Sequence, residues 1–336
     1  EGYVVALIQA AGTIVNMVVS IFLIYIGAGV LFVKAVATGV YMLRLVLVKI
    51  YAKRKYPALD FHAEPNEGAL KQKNAALLHQ VVGIIVNNTD TTVLTICLGA
   101  KSLLEVSVYG IYMMVVNAVN QLMTSFSNGL TAGFGEVIAK NEEETLKKSY
   151  SSYEYMYFVI MFIVIACMGV LILPFVGVYT INLTDVQYVR PVLGILFTVI
   201  VFMQNVRIPG LTIICAAGHY KETRYQAILE AVINITVSLG LVWKFGMAGV
   251  LLGTVCSYGY RSFEIVFYTS RHLVKGCAKK SMFRIFRNVL VVALLCIVGT
   301  YVIPKNMASF ITWFLYAIGM VAVSVFTIVG VNYVVE

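Results

Sequence analysis

Residues 153–174 read YEYMYFVIMFIVIACMGVLILP. The stretch is apolar almost from end to end, and about 20 mostly apolar residues are enough to carry a helix across a bilayer. Working outward in both directions, nine further stretches of the same kind appear, at 3–24, 26–50, 80–99, 104–128, 188–215, 225–243, 247–267, 288–303 and 310–335. Composition agrees: 60% of the residues are hydrophobic and 12% are charged, about half the charge of a soluble domain. The predicted fold class is an all-α polytopic membrane protein with about ten transmembrane helices.

The net charge of +9 does not mark a nucleic-acid surface, because the basic residues punctuate loops instead of forming one patch. Seventeen of the 25 Lys and Arg residues lie on one side of the ten stretches: Lys49, Lys53, Arg54, Lys55, Lys71, Lys73, Lys140, Lys147, Lys148, Lys221, Arg224, Arg271, Lys275, Lys279, Lys280, Arg284 and Arg287. The opposite connections hold one each, Lys101, Arg190, Lys244 and Lys305. The side rich in Lys and Arg is the cytoplasmic one. This predicts a multi-pass protein of the cytoplasmic membrane with both ends of the chain cytoplasmic. The chain opens on Glu1 and enters a span almost at once, and it stops just after another. It therefore reads as a fragment lacking upstream spans.

The longest polar interruption is 52–74, AKRKYPALDFHAEPNEGALKQKN, which predicts a cytoplasmic linker over 51–79 with two spans before it and eight after. A second polar connection, 129–152, predicts a short surface helix capped by Asn141, with acids in its first turn and the i,i+4 pairs Glu143–Lys147 and Glu144–Lys148. Gly249 and Gly253 form a small-xxx-small pair that lets two helices approach closely. Pro209, inside the long 188–215 stretch, predicts a kink or break, since proline removes a backbone hydrogen bond and clashes with the preceding turn. Broken helices at membrane depth tend to line cavities. The six cysteines are scattered with no CxxC pair, which predicts neither a disulfide nor a metal site.

Ionisable residues inside spans cost about 2.5–3.5 kcal/mol each on insertion scales and mark functional sites. Lys34 stands deep in the second span with no acid nearby in sequence. Arg44 is near a span end, from which it can snorkel to the interface. Arg207 lies beside Gln204 and Asn205, and Gln204 shares its helical face. Arg261 has Glu264 three residues on, a ready local ion pair. Among the acids, Asp90 shares a face with Asn87 and Thr91, and Glu230 forms an i,i+4 polar pair with Asn234. Asn117, Gln121, Thr124 and Asn128 make a stripe at helical spacing, fit either for bonding between helices or for lining a pathway. Together these residues describe an interior of basic, amide and acidic groups. Arginine suits phosphate, amides and aromatics suit sugars, and Asp90 or Glu230 could take a coupling proton or Na⁺.

No phosphate-cradling GxxxxGK[ST] loop and no HExxH pair occurs, and the four histidines show no metal-ligand spacing. The connections opposite the basic side are too short to hold a catalytic domain. The expectation is a transporter without a cofactor, and not an enzyme.

Several of these segments resemble a known family. Residues 88–99, NTDTTVLTICLG, followed by Tyr109-Gly110-Ile111-Tyr112, resemble the first span of the second lobe of polysaccharide flippases. Arg207-Ile208-Pro209-Gly210 with 216–223, AAGHYKET, is similar to their sixth-span ending, and 230–234, 246–254 and Arg261 continue the likeness in order and spacing. These are the Wzx-type oligosaccharide-lipid flippases of the multidrug/oligosaccharidyl-lipid/polysaccharide exporter superfamily. The resemblance implies that 1–50 are the last two helices of an N-terminal lobe, 80–268 a C-terminal six-helix lobe and 287–335 two additional helices, the first four family spans being absent. It implies flipping of undecaprenyl-diphosphate-linked repeat units by alternating access. Lys34, Arg207 and Arg261 would hold substrate together with Gln204, Asn205, Asn87, Asn117 and Gln121, and Asp90 and Glu230 are the coupling-ion candidates. Implied partners are the lipid-linked oligosaccharide, membrane lipids, a coupling proton or Na⁺, and other polysaccharide-assembly proteins. A multidrug or organic-cation antiporter of the same superfamily is the competing reading, followed by a membrane-embedded polymerase.

Overall fold

A computed structural model describes residues 2–56, 73–127, 130–304, 307 and 309–336. The described residues form twelve α-helices and one short 3-10 turn, and no strand occurs among them. Eight helical stretches are long and apolar enough to cross a membrane, so the chain is an all-helical, multi-pass membrane protein. The helices over the third and eighth expected spans, α3 (Lys73–Cys97) and α10 (Met247–His272), fall outside those eight. At 25 and 26 residues they have the length. Composition excludes them, because they carry Asn87, Asn88 and Asp90 in the one and Arg261 and Glu264 in the other.

The chain divides into two compact units, 1–70 and 71–336. The first is a hairpin of α1 (Gly2–Tyr25) and α2 (Val30–Lys55). Its turn forms because Gly27 takes φ +81°, a left-handed conformation that only glycine enters without steric cost. The amides of Ala28 and Gly27 then close back onto the carbonyls of Leu23 and Ile24 at 2.9 and 3.0 Å, satisfying the end of α1. This turn moves the start of the second helix from the expected residue 26 to Val30. Helix α2 runs on to Lys55 and α3 begins at Lys73, so both invade the expected 51–79 linker; 57–72 lie outside the described residues.

The 71–336 unit contains α3, α4 (Ser102–Ser127), α5 (Leu130–Ala139), α6 (Glu143–Tyr179), α7 (Pro191–Val206), α8 (Ile208–Ala216), α9 (Arg224–Phe245), α10, α11 (Cys277–Val302) and α12 (Phe310–Val335). Helix α6 gathers α4, α5, α7, α8, α11 and α12 against it. At 37 residues it is about 55 Å long, and it absorbs what the sequence read as a separate surface helix. Asn141 is not its cap. The residue sits at φ 54° in the turn after α5, and Glu143 and Glu144 open the first turn of α6. Glu143 reaches Lys275, at 3.8 Å.

The tightest helix pair is α9 and α10, joined through Gly246 alone, and the expected glycine pair makes it so. A β-carbon on Gly249 would lie 2.4 Å from the Leu241 carbonyl oxygen, and one on Gly253 would lie 2.2 Å from Ser238 Oγ. The Ser238 hydroxyl donates across the seam to the Val250 carbonyl at 3.1 Å. The expected break at Pro209 is present: α7 ends at Val206, α8 begins at Ile208, and Arg207 is the joint between them.

Candidate functional site

The glycine seam aligns two polar faces. Helix α9 presents Glu230, Asn234 and Ser238 one turn apart, and α10 presents Arg261, Ser257 and Thr254 running the other way; all six are buried. Asn234 donates to Thr254 Oγ1 at 3.0 Å. Nearer the other end of the pair, Glu230 lies between two arginines. Its Oε1 accepts from Nη1 of Arg207, and its Oε2 lies 3.6 Å from Nε of Arg261. Arg261 in turn donates to Glu264. Four charges thus alternate in one chain, Arg207, Glu230, Arg261, Glu264, and their formal sum is zero. Removing four charges from water is costly, and pairing them offsets that cost.

Arg207 occupies this position because of the α7–α8 break. As the joint residue it projects toward α9 and α10, where its guanidinium lies 4.5 Å over the Tyr258 ring. Its Nε is buried with no partner among the described residues. The Tyr258 hydroxyl donates to Asn87 Oδ1 at 3.3 Å.

These groups border a cavity of about 740 Å³. Its walls include Arg207, Arg261 and Glu230, together with Asn87, Gln204 and Tyr258. Toward the 217–223 connection they include Lys73, His79, Tyr220 and Thr223. There His79 Nε2 lies 3.0 Å from the Tyr220 carbonyl oxygen, tying the start of α3 to that connection.

A second cavity, of about 350 Å³, adjoins the first, for Val86, Asn87, Gln204 and Tyr258 border both. It contains no basic side chain among its walls. Asp90 stands in it, accepting from Thr254 Oγ1 at 2.7 Å and from the Tyr109 hydroxyl at 3.3 Å. Across from Asp90 an amide chain links two helices. Asn120 donates to Gln204 Oε1 and accepts from Asn205 Nδ2, both at 2.9 Å, and Tyr157 donates to Asn205 Oδ1 at 3.0 Å.

The structure therefore brings together Arg207, Arg261, Glu230, Gln204 and Asn87 around one cavity, and Asp90, Asn117, Gln204 and Asn87 around the other. Asn205 is buried behind the cavity walls and holds the amide chain. Gln121 and Thr124 are exposed on α4, and Asn128 lies outside the described residues. Lys34 belongs to the 1–70 unit, exposed on α2. In the same unit the stem of Arg44 crosses Gly12, and its guanidinium lies 5.1 Å over the Tyr41 ring. The sequence reading missed Asn120, Tyr157, Tyr258 and Thr254. Asn120 was the one with a signal, an amide one residue from the stripe and one turn from Thr124.

A second buried charge cluster lies away from the cavities. Glu154 on α6 accepts from Arg284 Nη1 at 2.9 Å and from Ser281 Oγ at 2.6 Å. Arg284 also holds the Glu336 carboxylate through Nε and Nη2, both at 2.6 Å. Each of these groups is taken by another in the cluster, so it clamps α11 and the end of α12 onto α6.

Basic side chains against an aromatic platform can hold an anion, uncharged amides and phenols can hold hydroxyl-rich groups, and a carboxylate among hydroxyls can hold a proton or a small cation. No family model and no curated protein matches the chain.

Proposed function

We propose that the protein flips a diphosphate-linked oligosaccharide lipid across the cytoplasmic membrane by alternating access. The observation that carries this reading is the pair of adjoining cavities, one walled by Arg207, Arg261 and Lys73 and the other by amides and phenols. Arginine binds phosphate oxygens through parallel N–H donors, and the neighbouring amides and rings suit sugar hydroxyls and faces. The resemblance of residues 88–112, 207–223 and 230–261 to the Wzx-type flippases supports the same substrate class. On that plan 1–50 are the last two helices of the first lobe, 80–268 are the second lobe, α11 and α12 are the additional pair, and both ends of this segment face the cytoplasm. Asp90 would take the coupling proton or Na⁺.

The test is flipping of a labelled polyprenyl-diphosphate oligosaccharide in proteoliposomes by the full-length protein and its Arg207→Ala variant. Transport by the wild type that is lost in the variant is expected. Normal transport by the variant removes Arg207 from the pathway. A competing reading, an organic-cation antiporter, rests on Asp90, whose hydrogen-bond partners are two hydroxyls and not a base. Exchange of organic cations by the same proteoliposomes, without flipping, would favour it.

A further inference from the structure

We infer that Glu230 is an internal stand-in for the substrate's phosphate, holding Arg207 and Arg261 while the larger cavity is empty and yielding Arg207 when an anion arrives. The inference rests on the anion-binding reading above and assigns a role to the carboxylate that reading leaves over.

Three observations carry it. First, the Glu230 carboxylate bridges two guanidinium groups with one oxygen on each, Oε1 on Arg207 and Oε2 3.6 Å from Arg261. A phosphate group between two arginines would use its oxygens in the same way. Second, the hold on Arg207 is incomplete. Its Nε is buried without a partner among the described residues, although Arg207 borders a cavity of about 740 Å³. A buried donor left unpaired is unfavourable, so an acceptor arriving from the cavity gains what Glu230 does not supply. Third, the guanidinium lies over the Tyr258 ring at 4.5 Å, a contact that does not depend on Glu230.

The charge count favours displacement. Arg207, Glu230, Arg261 and Glu264 sum to zero, so apart from Lys73 elsewhere on the cavity wall an added anion meets no spare positive charge. If Glu230 withdraws from Arg207, it keeps Arg261 as its partner. The carboxylate is thus a competitor, and its removal should strengthen anion binding. A carboxylate with a merely architectural role would do the opposite, since its loss would loosen the site.

The test is binding of inorganic pyrophosphate to the purified full-length protein in detergent, read by calorimetry and by the shift in thermal unfolding. Glu230→Gln should bind about tenfold more tightly than wild type, because a full charge beside Arg207 is gone. Glu230→Asp keeps the charge but is one methylene shorter and withdraws from Arg207, so it should bind more tightly than wild type and less tightly than Glu230→Gln. It serves as the folded alternative if the glutamine variant does not assemble. Arg207→Ala should bind at least tenfold more weakly. Weaker binding by Glu230→Gln and Glu230→Asp, with Arg207→Ala also weakened, overturns the stand-in role and leaves the anion site intact. Unchanged binding by Arg207→Ala overturns the anion site itself.

Discussion

Ser238 and Gly253 meet where α9 and α10 come closest: a β-carbon on Gly253 would lie 2.2 Å from Ser238 Oγ, 2.7 Å from its amide nitrogen and 3.0 Å from its Cα. Rotating the serine side chain removes only the first of these clashes. Gly253→Ala should therefore push the two helices apart and destabilise the protein by about 1–3 kcal/mol, as overpacking does elsewhere. Gly259, which meets nothing within 4 Å, is the control on the same helix. Thermal unfolding in detergent checks this: Gly253→Ala should melt lower than both wild type and Gly259→Ala. Equal melting of the two variants would contradict the seam.

Tyr258 meets two partners: its ring lies under the Arg207 guanidinium, and its hydroxyl donates to Asn87. Tyr258→Phe keeps the ring, so pyrophosphate affinity should stay within about twofold of wild type. Tyr258→Leu removes a cation–π contact worth about 0.5–2 kcal/mol and should weaken binding by about two- to thirtyfold. Titration of both variants separates the two effects, and equal losses would show that the hydroxyl and not the ring positions Arg207.

Glu154 and Arg284 are each 3% exposed in their side chains. Removing one partner of a buried pair leaves an uncompensated charge and costs about 3–5 kcal/mol. Glu154→Leu leaves Arg284 its two bonds to Glu336, whereas Arg284→Met strips both carboxylates of their base, so Arg284→Met should lower the unfolding midpoint more than Glu154→Leu. Thermal unfolding in detergent compares the two variants, and equal losses would mean that the Glu336 contact adds nothing to the cluster.

Glu336 supplies a pH dependence. Burial raises its carboxyl pKa, but hydrogen bonds and charge from Arg284 outweigh that and hold it below the usual glutamate value. Because the folded value is the lower one, the native state is favoured when this group is ionised. The contribution is present above about pH 4.3, the unfolded value, and is lost as pH falls through the folded value. Wild type should melt above Glu336→Gln at pH 7, and the gap should narrow as pH falls below the unfolded value. A gap that is constant with pH would mean that the Arg284 contact does not depend on the charge.

How far the sequence disclosed this arrangement depends on whether a feature is local. The glycine seam was legible, since two small residues one turn apart permit close approach whatever the partner. The break at Pro209 was legible for a similar reason, because the missing N–H acts within one turn. The shared face of Glu230 and Asn234 followed from helical spacing. What spacing does not provide is the order of helices around the bundle. Arg207 and Glu230 are 23 residues apart, and nothing short of the fold pairs them. The stripe on α4 shows a second limit. Asn117, Gln121 and Thr124 have the right period, yet the residue that bonds inward to Gln204 is Asn120, since amides occur on adjacent faces and period alone does not choose. Asn141 was misread because asparagine serves equally well as a helix cap and as a left-handed turn residue.

Helix α6 is about 55 Å long by its 37 residues, and a bilayer's hydrocarbon layer is about 30 Å thick. Its length therefore does not determine its depth. The helix is gripped from the side by Arg284 at Glu154 toward one end and by Trp313, donating to the Leu171 carbonyl at 3.2 Å, toward the other. A rod held in this way meets a thinner or thicker membrane by tilting. Since α4 and α7 lean on it, that tilt would carry the Asn120 and Gln204 walls of the smaller cavity with it. The acyl-chain length of the host lipid thus becomes a variable that reaches the site through the inclination of one helix.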